Sequence, residues 1–142
     1  MRNLKAIITA MSREHVDLIR SYFATWNESG LEGTASFRHP HVEVHDPPDM
    51  PDADQYVGEA AARTRVEGYM EAGWDGIFRD VELFDAGEEV LAVVRLAGTS
   101  PIGGVSLEAT VCQLFLVEDG KISRIRQFLR REEGMAAAGL ET

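Results

Sequence analysis

Cysteine is nearly missing from this chain: one residue, Cys112, in 142. A single cysteine closes no intramolecular disulfide and leaves no Cys-based zinc site. It suits a reducing compartment, so a cytoplasmic location is expected. Positive charge is also scarce. Fourteen Lys and Arg face 24 Asp and Glu, a formal net charge of −10. Phosphate binding needs cations that displace counterions, so nucleic acid and anionic membrane surfaces are not expected partners. No apolar run approaches the roughly 20 residues that span a bilayer. Met1 to Ala10 (MRNLKAIITA) is too short a run for a signal peptide and leads straight into a helix cap.

What is present fits one domain. Hydrophobic residues make up 44% and charged residues 27%, an ordinary globular balance for a chain of this length. Ser12 is a good N-cap. Val16, Ile19, Tyr22, Phe23 and Trp26 then recur at helical spacing up to about Asn27–Gly30. A weaker helical piece follows over Leu31–Phe37. Val42 and Val44 alternate with Glu43 and His45 as a strand, and the Pro- and Asp-rich Pro47–Tyr56 reads as a loop. Glu59–Ala72 is a second clear helix, with Ala62, Val66, Tyr69 and Met70 on one side.

After Gly73 the period changes from 3.6 to 2. Ile77–Phe84, Val90–Gly98, Val105–Glu118 and Lys121–Leu129 are strands, with hairpin turns at Ala86-Gly87 and Asp119-Gly120. The Ala-rich segment from Arg130 onward has helical character. Helices first and an antiparallel meander after make an α+β domain. Its expected bounds are 12–134, with an N-terminal extension at 1–11 and a C-terminal tail at 135–142.

Over Val105–Val117 both alternate sets are largely apolar, so this strand is expected to be covered on both faces. One cover is the helices. The other is expected to be a second copy, making a homodimer through the outer sheet face.

The stretches LIRSYFATWNESGLEG, HVEVHDPPDMPDADQYVG, VLAVVRLAGTSPIGG and VEDGKISRIRQFLRREEGMAAAGL carry a resemblance. They resemble the SnoaL-like branch of the nuclear transport factor 2-like superfamily. That resemblance implies a cone-shaped, curved antiparallel sheet around a cavity, with three helices in the N-terminal half. The ketosteroid isomerases, which share the fold, place a Tyr where Tyr22 stands and a Val-x-Asp-Pro where Val44-His45-Asp46-Pro47 stands. The resemblance therefore implies Asp46 as a proton-abstracting base and Tyr22 as donor to an oxyanion. The third position of that site falls on Cys112, a weak donor in place of an acid, which counts against steroid isomerisation itself.

Other groups have plainer readings. His39, His41 and His45 with Asp46 and Asp49 show no compact ligand spacing, so no metal and no cofactor is expected. Arg95, Arg124 and Arg126 are expected on the outer face with Gln113 and Phe115, paired with carboxylates such as Glu108. The expected inner wall is Val44, Val90, Ala92, Val94, Leu96, Leu114, Leu116, Ile125 and Leu129. Trp26, His45, Cys112 and Gln127 complete the expected ligand contacts. Such a wall selects a hydrophobic small molecule, oriented by Tyr22, Asp46 and Gln127, and a carbonyl-type one if the protein is an enzyme. Three functions remain open. One is an enzyme moving a proton, as an isomerase, aldol-type cyclase or hydrolase. The second is a non-catalytic binder, and the third a dimeric scaffold.

Overall fold

The computed structural model describes residues 4–140, with side chains from residue 12. The outermost ends of the expected extension and tail, 1–3 and 141–142, lie outside the described residues. Helix α1 (Leu4–Gly33) begins ahead of Ser12, so the expected N-cap lies inside the helix; it is followed by a 3-10 turn (Ala35–Phe37), strand β1 (Arg38–His45) and strand β2 (Gln55–Val57). Helix α2 (Glu59–Glu71) leads to β3 (Arg79–Ala86), β4 (Glu89–Thr99), β5 (Ser106–Glu118), β6 (Lys121–Phe128) and helix α3 (Arg131–Ala137). No helix among the described residues is long and apolar enough to cross a membrane.

The six strands form one curled sheet in the order β2-β1-β6-β5-β4-β3. Strands β3 to β6 make the expected antiparallel meander, while β1 lies parallel to β6, so the sheet is mixed. Strand β1 starts at Arg38, ahead of the visible Val alternation, and its ladder shifts between Arg38 and Glu43. Pro40 falls in that stretch and has no N–H to give to a ladder. Strand β2 takes the end of the expected loop. Three residues are too few for a periodic signal. Of the three helices, two lie in the N-terminal half and α3 is C-terminal. The weak helical piece became the last turn of α1 and the 3-10 turn.

Gly30 interrupts α1 with φ 67°, where a residue with a Cβ would be strained, and so bends the chain toward β1. Asp119 and Gly120 both have positive φ and make the tight β5–β6 turn that an Asp-Gly pair favours. Gly73 and Gly98 approach so closely that a Cβ on Gly98 would collide with the Gly73 carbonyl. This contact pins the exit of α2 to β4 and sets Trp74 beside the inner face.

Two apolar clusters sandwich the sheet. The larger lies inside, where Ile19, Tyr22, Phe23 and Trp26 of α1 meet Val90, Ala92, Val94, Val111, Phe115 and Ile125. The smaller lies outside, where Leu91, Val93, Cys112 and Leu114 pack on Met135 of α3. The second cover of β5 is thus supplied, over these residues, by the chain's own C-terminal helix. Gly134 lets α3 sit down on the strand: a Cβ there would lie 2.7 Å from Cys112 Cβ.

The two clusters also reveal a change of face in β5. A uniform β5–β6 ladder counted from the turn would put Leu114 opposite Ile125 and Cys112 opposite Gln127, all facing inward. The observed register shifts between Leu116 and Val117, so Phe115 pairs with Ile125 and Gln113 with Gln127. Ser123 is the extra residue of a β-bulge, its hydroxyl donating to the Leu116 carbonyl at 3.3 Å and to Glu118 at 2.8 Å. One inserted residue turns every following side chain of the partner to the other face. Cys112, Leu114 and Leu116 are therefore outer residues, and Gln113 and Phe115 inner ones, the reverse of the expectation.

Candidate functional site

Between α1, α2 and the concave face of the sheet lies a cavity of about 370 Å³. Its floor is aromatic because Tyr22 and Trp26 stand one helical turn apart on the buried stripe of α1. Trp26 packs edge-on to Phe78, with ring centroids 5.5 Å apart, and its Nε1 donates to the Gly76 carbonyl at 2.9 Å. The sheet contributes Val44, Leu96, Val111 and Ile125. The second helix and the turn after it contribute Val66, Met70 and Trp74. The interior is thus apolar, with few polar groups.

Those polar groups come in three sets. Arg38, at the start of β1, is 3% exposed. Its Nε donates to Glu59 Oε1 at 2.6 Å and its Nη2 to Glu59 Oε2 at 3.1 Å. Nη1 donates to Thr34 Oγ1 and Nη2 also reaches the Leu31 carbonyl. Burial pushes the neighbouring Tyr22 phenol up to about 12, against the opposing pull of the Arg38 guanidinium. Tyr22 is therefore a neutral hydrogen-bond donor at ordinary pH.

The second set begins at Asp46. Its side chain is wholly buried just past the end of β1. Oδ1 accepts from Arg65 Nε at 2.9 Å and from the Tyr69 hydroxyl at 3.1 Å, and Oδ2 from the Asp54 N–H at 3.3 Å. Arg65 and Tyr69 are one turn apart on α2 and both line the cavity. The Arg65 guanidinium lies over the Tyr69 ring, 4.2 Å from its centroid. Burial, reinforced by the Asp46 charge, raises the Tyr69 phenol to about 12.

The third set is an amide relay. Gln127 Nε2 donates to the His45 carbonyl at 3.3 Å, and Gln127 Oε1 accepts from Gln113 Nε2 at 3.3 Å. A backbone carbonyl only accepts, so His45 orients both amides. Among the described residues no group of three His, Cys, Asp or Glu gathers as a metal site.

The SnoaL-like domain profile matches residues 19–125, most of the chain and every cavity-lining residue except Gln127 and Leu129. The chain belongs to the SnoaL-like domain family. No functionally curated protein matches it. Solved structures do. A candidate polyketide cyclase from Xanthomonas campestris pv. campestris is 20% identical with a TM-score of 0.67, over 89% of this chain and 97% of that one. An NTF2-like protein from Burkholderia thailandensis is 25% identical with a TM-score of 0.69, over 89% and 97%. TerC, co-crystallized with polyporic acid, is 17% identical with a TM-score of 0.69, over 89% and 98%.

In this SnoaL-like chain the cavity brings together Tyr22, Trp26, Val44, Leu96, Ile125, Gln127 and Leu129 from the expected site. Asp46 lies behind the wall formed by Arg65 and Tyr69. Val90, Ala92 and Val94 face inward but are packed in the core under α1. His45 touches the site only through its carbonyl, because its ring alternates to the other face from Val44. Cys112 and Leu114 are corrected to the outer face, for the bulge described above, and Cys112 Sγ points at the Arg130 carbonyl, 3.7 Å away. Burial raises its thiol above the ordinary range.

On that outer face Arg95 bridges Asp80 and Glu108, and Arg124 and Arg126 approach Glu89. Sequence reasoning missed Gln113, Arg65, Tyr69 and Trp74 as cavity residues. Tyr69 and Val66 were legible as one apolar side of α2. The direction that side takes was not, because it depends on the Asp46–Arg65 contact across 19 residues.

Proposed function

We propose that this SnoaL-like protein binds a hydrophobic ring-sized molecule bearing a carbonyl-type oxygen inside the cone. The observation that carries the reading is the cavity of about 370 Å³, aromatic and aliphatic apart from a few fixed polar groups. Both tryptophans of the chain, Trp26 and Trp74, line it, so occupancy is readable as intrinsic fluorescence. Titration with tetralone, a bicyclic ketone, is expected to change that fluorescence saturably. A flat response to tetralone and to its parent hydrocarbon tetralin sinks the reading.

A second reading adds proton transfer, with Asp46 as the base and Tyr22 as the donor to the developing oxyanion. It is favoured by the wholly buried Asp46 carboxylate beside the wall, and by the likeness to a candidate polyketide cyclase. Arg65 would have to leave Asp46 Oδ1 for the base to act. Exchange of the protons next to the tetralone carbonyl, followed by NMR in D2O, tests it. Catalysed exchange that Asp46→Asn abolishes supports the enzyme. Unchanged affinity without exchange leaves a binder. No cofactor enters either reading.

Two copies pairing through the outer face, around the Arg124, Arg126 and Glu89 group, belong to the same proposal. Sedimentation velocity at the mass of one chain would exclude that dimer. A cytoplasmic place of action goes with the single cysteine.

A further inference from the structure

Two arginines line the cavity, and they differ in what they leave unused. All three nitrogens of Arg38 are engaged, by Glu59, Thr34 and the Leu31 carbonyl. Arg65 uses only Nε, on Asp46. Its terminal nitrogens have no hydrogen-bond partner among the described residues, and its side chain is 22% exposed at the cavity wall. The guanidinium is nonetheless held still. Asp46 fixes one edge, and the rings of Tyr69 and Tyr56 lie 4.2 and 5.7 Å from its Cζ. A fixed fork of N–H donors carries no acceptor, so its natural partner is an acceptor oxygen.

The charge of that oxygen follows from Asp46. The carboxylate already balances the guanidinium, and the chain as a whole is at −10. A ligand carboxylate beside Arg65 would gain an N–H contact but meet Asp46 nearby. A neutral carbonyl takes the same donors without that repulsion.

We infer that Arg65 is the ligand-recognising donor of the cavity, its terminal N–H groups taking the oxygen of a neutral ring ketone while Asp46 acts as the positioning residue that holds Nε. This rests on the small-molecule reading of the cavity. It gives Asp46 a part the sequence did not announce: in ligand binding the carboxylate serves the arginine.

The test compares tetralone with tetralin, which has the same skeleton without the oxygen, by tryptophan fluorescence on the full chain. The wild type is expected to bind the ketone about tenfold more tightly or better, the worth of a charge-assisted hydrogen bond. Asp46→Asn keeps an acceptor for Nε and is expected to keep that preference. The double variant Asp46→Asn/Arg65→Met removes both charges, leaves no carboxylate buried alone, and is expected to bring the ratio near one. Equal binding of both probes by the wild type overturns the inference without needing any variant, as does a preference that survives in the double variant. Both outcomes leave the cavity reading intact. If neither probe binds, the cavity reading fails and takes this inference with it.

Discussion

Strand β1 and helix α2 are tied twice, by ion pairs of opposite polarity. At one end the strand supplies the cation and the helix the anion, Arg38 to Glu59. At the other the strand end supplies the anion and the helix the cation, Asp46 to Arg65. Both arginines reach the cavity, yet the first is 2% exposed at its side chain and the second 22%. The difference lies in completeness. Arg38 has every nitrogen occupied and works as a bolt between α1, β1 and α2. Arg65 is secured along one edge and keeps donors to spare. A buried charge with all its bonds made has no capacity left for a ligand, whereas a half-satisfied one does.

The largest effect that can break this comparison is Arg38→Met. It leaves the part-buried Glu59 carboxylate without its cation and takes one donor each from the Leu31 carbonyl and the Thr34 hydroxyl. Urea unfolding is expected to show a loss of about 3 kcal/mol, within the range for breaking a buried pair on one side. An unchanged midpoint would mean Arg38 is no bolt.

Next comes the alkaline limb. Tyr22 sits beside the bolt and Tyr69 beside the half-satisfied pair, and each is raised to about 12 from an ordinary 10.0. A folded value above the unfolded one means the folded state holds its proton more tightly. The stabilisation is fully present below pH 10 and is lost as pH rises toward 12. Burial dominates both shifts, but Arg38 opposes it at Tyr22 while Asp46 reinforces it at Tyr69. For Tyr22 the loss by pH 12 is on the order of 2–3 kcal/mol. Urea midpoints that hold steady from pH 9 to pH 12 would refute this.

A smaller effect is expected from Asp46→Asn/Arg65→Met. Replacing both members of a pair removes the desolvation cost along with the attraction, so stability should move by less than about 2 kcal/mol. A larger collapse would make Arg65 a second bolt. The smallest change is expected from Arg95→Gln, whose partners Asp80 and Glu108 are exposed. Thermal unfolding should register less than about 1 kcal/mol, and any loss should shrink in salt.

The parts of the fold that were legible in sequence are the local ones. The apolar stripe of α1, the extent of α2, and the Asp119-Gly120 turn are each specified by residues within a few positions of one another. The inward set of β4, Val90 to Leu96, was legible because its ladder to β5 runs without a shift. The face of β5 was not legible. Ser123 looks like any strand residue, and nothing nearby announces that it is the bulged one. Strand β2 was too short to show a period, and the role of α3 as a lid on the outer face depended on Gly134 meeting Cys112 across 22 positions.

The candidate site divides the same way. Tyr22, Trp26 and Gln127 were found because each belongs to a clear apolar stripe. Asp46 was found as a residue, but its working partners were not.

By itself, the sequence determined the element types, the family, the aromatic floor of the cavity and the absence of any disulfide within the chain. Those follow from side-chain period, from turn chemistry and from counting, all of which act over short range. Only the tertiary structure decided which face of β5 looks inward, what covers the outer sheet, and what the Asp46 carboxylate does. Each of those depends on contacts between residues far apart in the chain. There a one-residue bulge, or one guanidinium arriving from another helix, changes the outcome without leaving a local trace.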